Sequence, residues 1–448
     1  KDGFQMLRIL FSLIVALSLI RVPAQAQTGS FFLGGIQVNE PDPVTWVQTL
    51  KGERMNTVAV TVYSYQGDWD SDRLVFKQRN IGLENEVRAA KAGGMKVVLI
   101  LRTALDHAYP KNKFLWHGLI MPKTDDMLKR WFEKYTVFVS HWAKFARQEG
   151  VDLLGIASEM NSLTETAPVD KIPELHDWYL NRLKQEKMKG RLLKHNQMIT
   201  ERHLWVRGHK NYETFETYLD DKQLAHERWA RQTGFFDAAE PIVLINKRRR
   251  KLDRLWRNLI RHIRKIYHGP LTYAANFDQY HEVGFWDALD FVGINGYFPL
   301  RRNLLGDNER HRLKTVLADG WRRVFKRIDD FMDGQGLRNL PIIFTELGYT
   351  RRKNCTLAPW ADTGFSMIGP GSGKRFIVWQ DQPEDAEERA LAISALYETT
   401  RNRVRNPLAG ILYWKLSTLS SHKDIEPFVC IVGGRPKDPL LDSLQLFR

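Results

Sequence analysis

The sequence predicts an α/β fold, a (β/α)₈ TIM barrel carrying a helical insertion after its fourth strand. Three observations predict it. Eight short apolar runs rich in β-branched residues recur along the chain, longer amphipathic stretches separate them, and one polar, basic stretch between the fourth and fifth runs fits neither pattern. Eight strands alternating with helices point to a closed barrel rather than an open doubly wound sheet.

Taken in order, the chain opens on residues 1–26, which read as a signal peptide. Met6 and Arg8 precede an apolar run from Ile9 to Ile20, too short to span a bilayer comfortably, and Ala24-Gln25-Ala26 is a small-residue cleavage site. Cleavage there starts the mature chain at Gln27, so a secreted or periplasmic location is expected. The (β/α)₈ domain is then 27–448. Its expected strands are Phe31–Val38, Thr57–Tyr65, Lys96–Thr103, Leu153–Met160, Leu271–Phe277, Asp290–Tyr297, Pro341–Tyr349 and Gly410–Ser417.

Between them, Leu83–Ala92, Leu128–Gln148, Leu255–Tyr267, Lys314–Met332 and Pro383–Arg403 place apolar residues at three- and four-residue spacing, as helices packed on a sheet require. Gly93-Gly94 is a C-cap before the third strand. The stretch 165–251 is dense in Lys, Arg and His and ends in Lys247-Arg248-Arg249-Arg250-Lys251. It is expected to be a basic helical insertion on the face where loops after strands build specificity, with a solvated excursion of no binding duty as the alternative.

Composition bounds the partners. The chain of 448 residues carries a net charge of +15, which favours anionic partners: an acidic glycan, or an anionic envelope surface met through 165–251. No zinc-finger spacing, RNA-recognition signature or phosphate loop is present, so no nucleic acid is expected. The 13 histidines form no paired metal-binding spacing, and neither metal nor cofactor is expected. Cys355 and Cys430 are the two cysteines, and the sequence leaves a bridge and two free thiols equally open. A monomer acting on a polysaccharide or oligosaccharide is expected.

Two strands end in glutamate: Leu153-Leu154-Gly155-Ile156-Ala157-Ser158-Glu159 and Pro341-Ile342-Ile343-Phe344-Thr345-Glu346. A carboxylate at the end of an apolar strand is costly to bury without a partner or a task. In a barrel these two face one basin, and a facing pair suits glycosidic hydrolysis, where one group protonates the leaving oxygen and the other attacks the sugar. Glu346 is expected to be the nucleophile and Glu159 the acid/base, with its pKa raised by the neighbouring charge.

Acid/base on strand four and nucleophile on strand seven resembles the clan A retaining glycosidases. Within that clan, Leu271-Thr272-Tyr273-Ala274-Ala275-Asn276 and the run from Phe285 to Leu300 are similar to glycoside hydrolase family 113. The resemblance implies endo-β-1,4-mannan hydrolysis and covers most of Phe31 to Ser420 outside the insertion. It departs at Ser158, where clan A enzymes place an Asn that binds the sugar 2-hydroxyl; Asn161, Asn276 or a water are the substitutes.

Around the pair, Trp414 at the end of strand eight is expected under the sugar, and Arg102 at the end of strand three beside Glu346. Asn276, Asn295, Tyr297 and Tyr349 are expected to bind hydroxyls. Tyr63, Tyr65, Trp69, His107, Tyr109 and Trp116 form an aromatic-rich rim for stacking on sugar faces. The competing readings are a degenerate barrel that binds carbohydrate or the envelope without cleaving it, and a glycosidase for an acidic glycan.

Overall fold

In the computed structural model, residues 30–194, 212, 214–232, 234–360, 365–368, 375–378 and 382–448 are described. The expected signal peptide lies outside them. Among the described residues no helix is long and apolar enough to cross a membrane.

Eight parallel strands close on themselves. They are β1 Phe32–Gln37, β2 Thr57–Gln66, β3 Lys96–Leu105, β4 Leu153–Ser158, β5 Leu271–Asn276, β6 Val292–Asn295, β7 Ile342–Leu347 and β8 Leu408–Ser417. Each pairs with the next, and β1 pairs with both β2 and β8, so the sheet has no free edge among these strands. Ile36, Ala59, Val98, Ile100, Leu153, Ala274, Ile343 and Leu412, drawn from seven of the strands, fill the interior as one apolar cluster. The cylinder is therefore a packed core, and chemistry is confined to its mouths. Closure requires glycine where β1 meets β2: a Cβ on Gly34 would stand 1.7 Å from the Thr57 carbonyl oxygen.

The helices form where the sequence supplies both an apolar stripe and a cap. In α1 (Pro43–Gly52), Asp42 accepts from the backbone of Val44 and Thr45, and Pro43 fills the first position. Asn80 caps α2 (Ile81–Ala92) in the same way, and Gly94 at φ +71° ends it as expected. Thr124 caps α3 (Asp125–Gln148), whose first turn carries Asp125 and Asp126 against the helix dipole. After β4 come a single turn at Asn161–Thr164, then α4 (Glu174–Leu180), α5 (Arg182–Lys194), α6 (Phe215–Arg231) and α7 (Pro241–Arg264). The last outer helices are α8 (Leu313–Gly334), α9 (Ala386–Thr400) and α10 (Pro439–Gln445).

The expected insertion boundary needs correction. α7 is one continuous helix begun by Pro241, and it packs on α3 through Trp256 against Phe132, with ring centroids 5.3 Å apart. Residues 241–251 thus belong to the barrel helix that leads back to β5. The basic run is largely occupied inside the protein. Arg249 is 3% exposed and ion-paired to Glu165 at 3.3 Å and closely to Glu282, while Lys251 reaches Asp125 at 2.9 Å. Only Lys247 and Arg250 of the run are exposed. Cys355 and Cys430 are both buried and free, not bridged.

Candidate active site

Strand ends deliver the site. Arg102 sits near the end of β3, Glu159 directly follows β4, Asn295 ends β6, Glu346 lies in β7 and Trp414 in β8, all at the carboxyl mouth. Register fixes the neighbours: Tyr63 pairs with Arg102, and Asn295 with Glu346.

The two glutamates meet on one guanidinium. Arg102 donates through Nη1 to Glu346 Oε1 at 3.1 Å and through Nη2 to Glu159 Oε2 in a close contact. Two hydrogen bonds of ordinary length from one planar fork cap the separation of the bonded oxygens at roughly 8 Å. Both carboxylates are buried, at 7% and 5% exposure. Glu159 also accepts from Asn295 Nδ2 at 3.0 Å and has His117 Nε2 at 3.0 Å. Glu346 accepts from the Tyr297 hydroxyl at 2.8 Å.

Glu159 stands in the left-handed backbone region at φ +50°, a conformation that a non-glycine residue holds only when its surroundings impose it. The surroundings do so here: its N–H donates to the Ala274 carbonyl at 2.9 Å, and the next N–H, of Met160, donates to the Tyr273 hydroxyl at 3.1 Å. The turn thereby lifts the Glu159 side chain from the strand into the shared mouth.

Electrostatics separates the two carboxyls in the sense opposite to that expected. Burial would raise both. At Glu159 burial is overcome by the Arg102 charge, helped by His117 and Asn295, and the group is held down to about 2. At Glu346 burial prevails over Arg102 and is reinforced by the Glu159 charge, and the group is pushed up to about 7. The two groups therefore titrate as a pair that shares one proton until near neutrality. The cause is the number of donors that meet at Glu159. Burial and the Arg102 charge push the His117 imidazole below its usual value.

Of the other expected residues, Tyr63 and Tyr65 stack on each other at the rim, 6.5 Å between centroids, with Tyr63 37% exposed. Trp116 is half-buried, edge-on to His117 at 5.2 Å. Trp414 is half-buried, with the Arg102 guanidinium 5.9 Å from its ring. Asn276 is half-buried, in register with Asn295.

Four residues take other parts. Asn295 is fully buried, with its amide engaged by Glu159, Ser158 and Thr345, so it orients Glu159 rather than meeting a hydroxyl. Tyr297, 8% exposed, is committed to Glu346. Tyr349 and Trp69 are corrections. Tyr349 is fully buried with its hydroxyl turned to the Phe298 carbonyl, and Trp69 is 3% exposed in the core, because both rings lie on the inner side of their loops. His117 was not among the expected residues; its place in a loop turn beside Trp116 gave it no strand-end signal. Ser158 turns its hydroxyl to Asn295, not into the mouth.

A groove of about 1390 Å³ is walled by Trp116, by the segment from Asn161 to Lys184, and by Asp278 to Glu282, and its lining approaches Glu159 through Asn161, two positions on, and Trp116, next to His117. Its lining holds six carboxylates against two lysines and one histidine.

The sequence model of Glycoside Hydrolase Family 113 matches residues 37–170 and 242–370. Among solved structures, a complex structure of a family 113 β-1,4-mannanase aligns with a TM-score of 0.53 at 16% identity, covering 94% of this chain and 99% of that one. The family 113 β-mannanase AaManA from Alicyclobacillus acidocaldarius, in complex with ManMIm, gives 0.53 at 14% identity over the same shares. At these identities the structural likeness is one of fold. No protein of curated function matches the sequence.

Proposed function

This chain belongs to Glycoside Hydrolase Family 113, and from that premise we propose that it is a retaining endo-β-glycosidase cleaving a β-1,4-linked mannan or a close relative. The observation that carries the reading is a single half-buried guanidinium holding Glu159 and Glu346 together at the mouth of the barrel. Retention needs carboxyls roughly 5 to 5.5 Å apart, a spacing within the bound set by Arg102.

In the first step a Glu346 oxygen bonds to the anomeric carbon while the bond from that carbon to the leaving oxygen breaks, and Glu159 gives that oxygen its proton. In the second, Glu159 takes a proton from water as the water oxygen attacks the anomeric carbon and the bond to Glu346 breaks. Tyr297 and Arg102 hold Glu346 for attack, Asn295 and His117 orient Glu159, and Trp414 lies beneath the sugar. Tyr63, Trp116 and Asn276 meet the chain on either side.

The intact pair favours catalysis over a degenerate binding barrel. The carboxylate-lined groove favours a neutral or cationic chain over an acidic one. Export, with maturation after Ala26, completes the proposal, and the mature N-terminus read by mass spectrometry tests it. Reducing-sugar release from β-mannan tests the activity. Glu159→Gln and Glu346→Gln are each expected to lower kcat by at least about a thousandfold, and unchanged turnover in either ends the assignment.

A further inference from the structure

The groove beside Glu159 has features that hydrolysis of a neutral chain does not require. It adjoins the residue read as the acid, through Asn161 two positions on and through Trp116 next to His117, so it lies on the side of the departing sugar. Its far wall runs through 171–184, a segment outside the residues that the family model matches.

Two lining side chains, Asn161 and Gln279, are 6% and 5% exposed, and their oxygens Oδ1 and Oε1 have no hydrogen-bond partner among the described residues. The Gln279 amide nitrogen is already committed to the Asn161 carbonyl at 3.0 Å, which leaves its oxygen as an acceptor without a donor in the groove wall. A buried acceptor left without a donor is costly, so a ligand that brings donors gains by meeting it.

The charges point the same way. Glu165 and Glu282 share Arg249, Asp177 holds Lys184 at 2.7 Å and Glu174 holds Lys171 at 3.6 Å, whereas Asp170 and Asp278 have no ion-pair partner among the described residues. Two orphan acceptors with two uncompensated carboxylates form a surface complementary to a group that is both a multiple donor and a cation. Carried on a sugar, that group is a free primary amine.

We propose that the groove between Asn161–Lys184 and Asp278–Glu282 is a leaving-sugar subsite that selects glycans bearing unsubstituted amino groups, with Asp278 and Asp170 meeting the ammonium and Asn161 and Gln279 accepting its hydrogens. The proposal rests on the reading of Glu159 as the acid, because that reading places the groove on the leaving side. Neutral chains fit the same space without the charge, N-acetylated ones lose the charge and keep a single N–H donor, and polyanions are repelled.

Titration calorimetry of the full chain carrying Glu346→Gln, with the four tetrasaccharides tetraglucosamine, tetra-N-acetylglucosamine, mannotetraose and tetragalacturonate, tests this without turnover. Tetraglucosamine is expected to bind at least about tenfold tighter than the neutral tetramers at low salt, and the advantage to shrink above about 0.15 M, where charges are screened beyond roughly 8 Å. Adding Asp278→Asn is expected to narrow the ratio to about threefold or less. Equal affinities, a preference for tetragalacturonate or mannotetraose, a ratio indifferent to Asp278→Asn, or no binding of any tetramer would each overturn the proposal. If tetraglucosamine is preferred as expected while β-mannan goes uncut by the unsubstituted chain, the mannanase reading alone falls.

Discussion

Replacing Arg102 with methionine keeps the length of the side chain and removes the one cation shared by two buried carboxylates. A unit charge about 4 Å away at an effective dielectric of about 20 is worth about 4 kcal/mol to each carboxylate, or about three pKa units, and relaxation with admitted water brings the realised shift down to about one to two. The reaction needs one proton on the pair. With Glu159 held to about 2 and Glu346 pushed up to about 7, the free enzyme carries that proton from about pH 2 to about pH 7. For the parent chain, kcat/KM is therefore expected to be level through mildly acidic pH and to fall tenfold per unit above about 7. In Arg102→Met the alkaline limb moves up by about one to two units, and an acid limb rises into view near pH 3 to 4, giving a bell. The optimum falls by about a hundredfold or more, because Glu346 loses a fixed orientation. Initial rates across pH on one soluble oligosaccharide give both profiles. An alkaline limb that stays in place in Arg102→Met would falsify the assignment of that limb to the pair.

Glu346→Gln is expected to stabilise the fold at alkaline pH. A carboxyl raised from 4.5 to about 7 by folding costs the native state stability as pH climbs through that window, up to about 3 kcal/mol, so the glutamine variant should melt a few degrees higher at pH 8 and equally at pH 4. An advantage of the same size at both pH values contradicts the burial argument. Tyr297→Phe removes the hydroxyl that Glu346 accepts and leaves the ring; kcat should fall about ten- to a hundredfold with KM nearly unchanged, and a change confined to KM would place Tyr297 on the substrate instead. Trp69→Ala should cost about 3–5 kcal/mol in denaturant unfolding and spare KM per folded molecule. Trp116→Ala should raise KM for a polysaccharide about tenfold at unchanged stability, and the reverse pattern would exchange core and rim.

The barrel was legible because its signal is local. Eight apolar runs and the Gly93-Gly94 cap each report on a few neighbouring residues, and the observed strands fall within a few positions of those expected. The strand-end glutamates were legible for the same reason: a charge closing an apolar run is visible in one dimension. The insertion boundary was not, because Lys247 to Lys251 reads as solvated charge until Glu165 and Glu282 are brought around Arg249. Aromatic residues after strands carry no mark of which way they face, so Trp69 and Tyr349 read like Tyr63 and Trp116. His117 lies in a loop turn, and its approach to Glu159 is set by tertiary packing alone.

The direction of the Glu159 shift is the deepest of these divergences, and it bears on how the proposed reaction starts. The pair shares one proton in the free site, and the proposed reaction needs it on Glu159 once a sugar is bound. The contacts around the pair supply the means. Glu159 is ionised only because Arg102, His117 and Asn295 together outweigh its burial. A sugar lying between the carboxyls must separate Arg102 from one of them. Tyr297 holds Glu346 at 2.8 Å, so a substrate that draws Arg102 off Glu159 leaves Glu346 with both of its donors. Burial then governs Glu159 and raises it, while Arg102, left to Glu346, lowers that group.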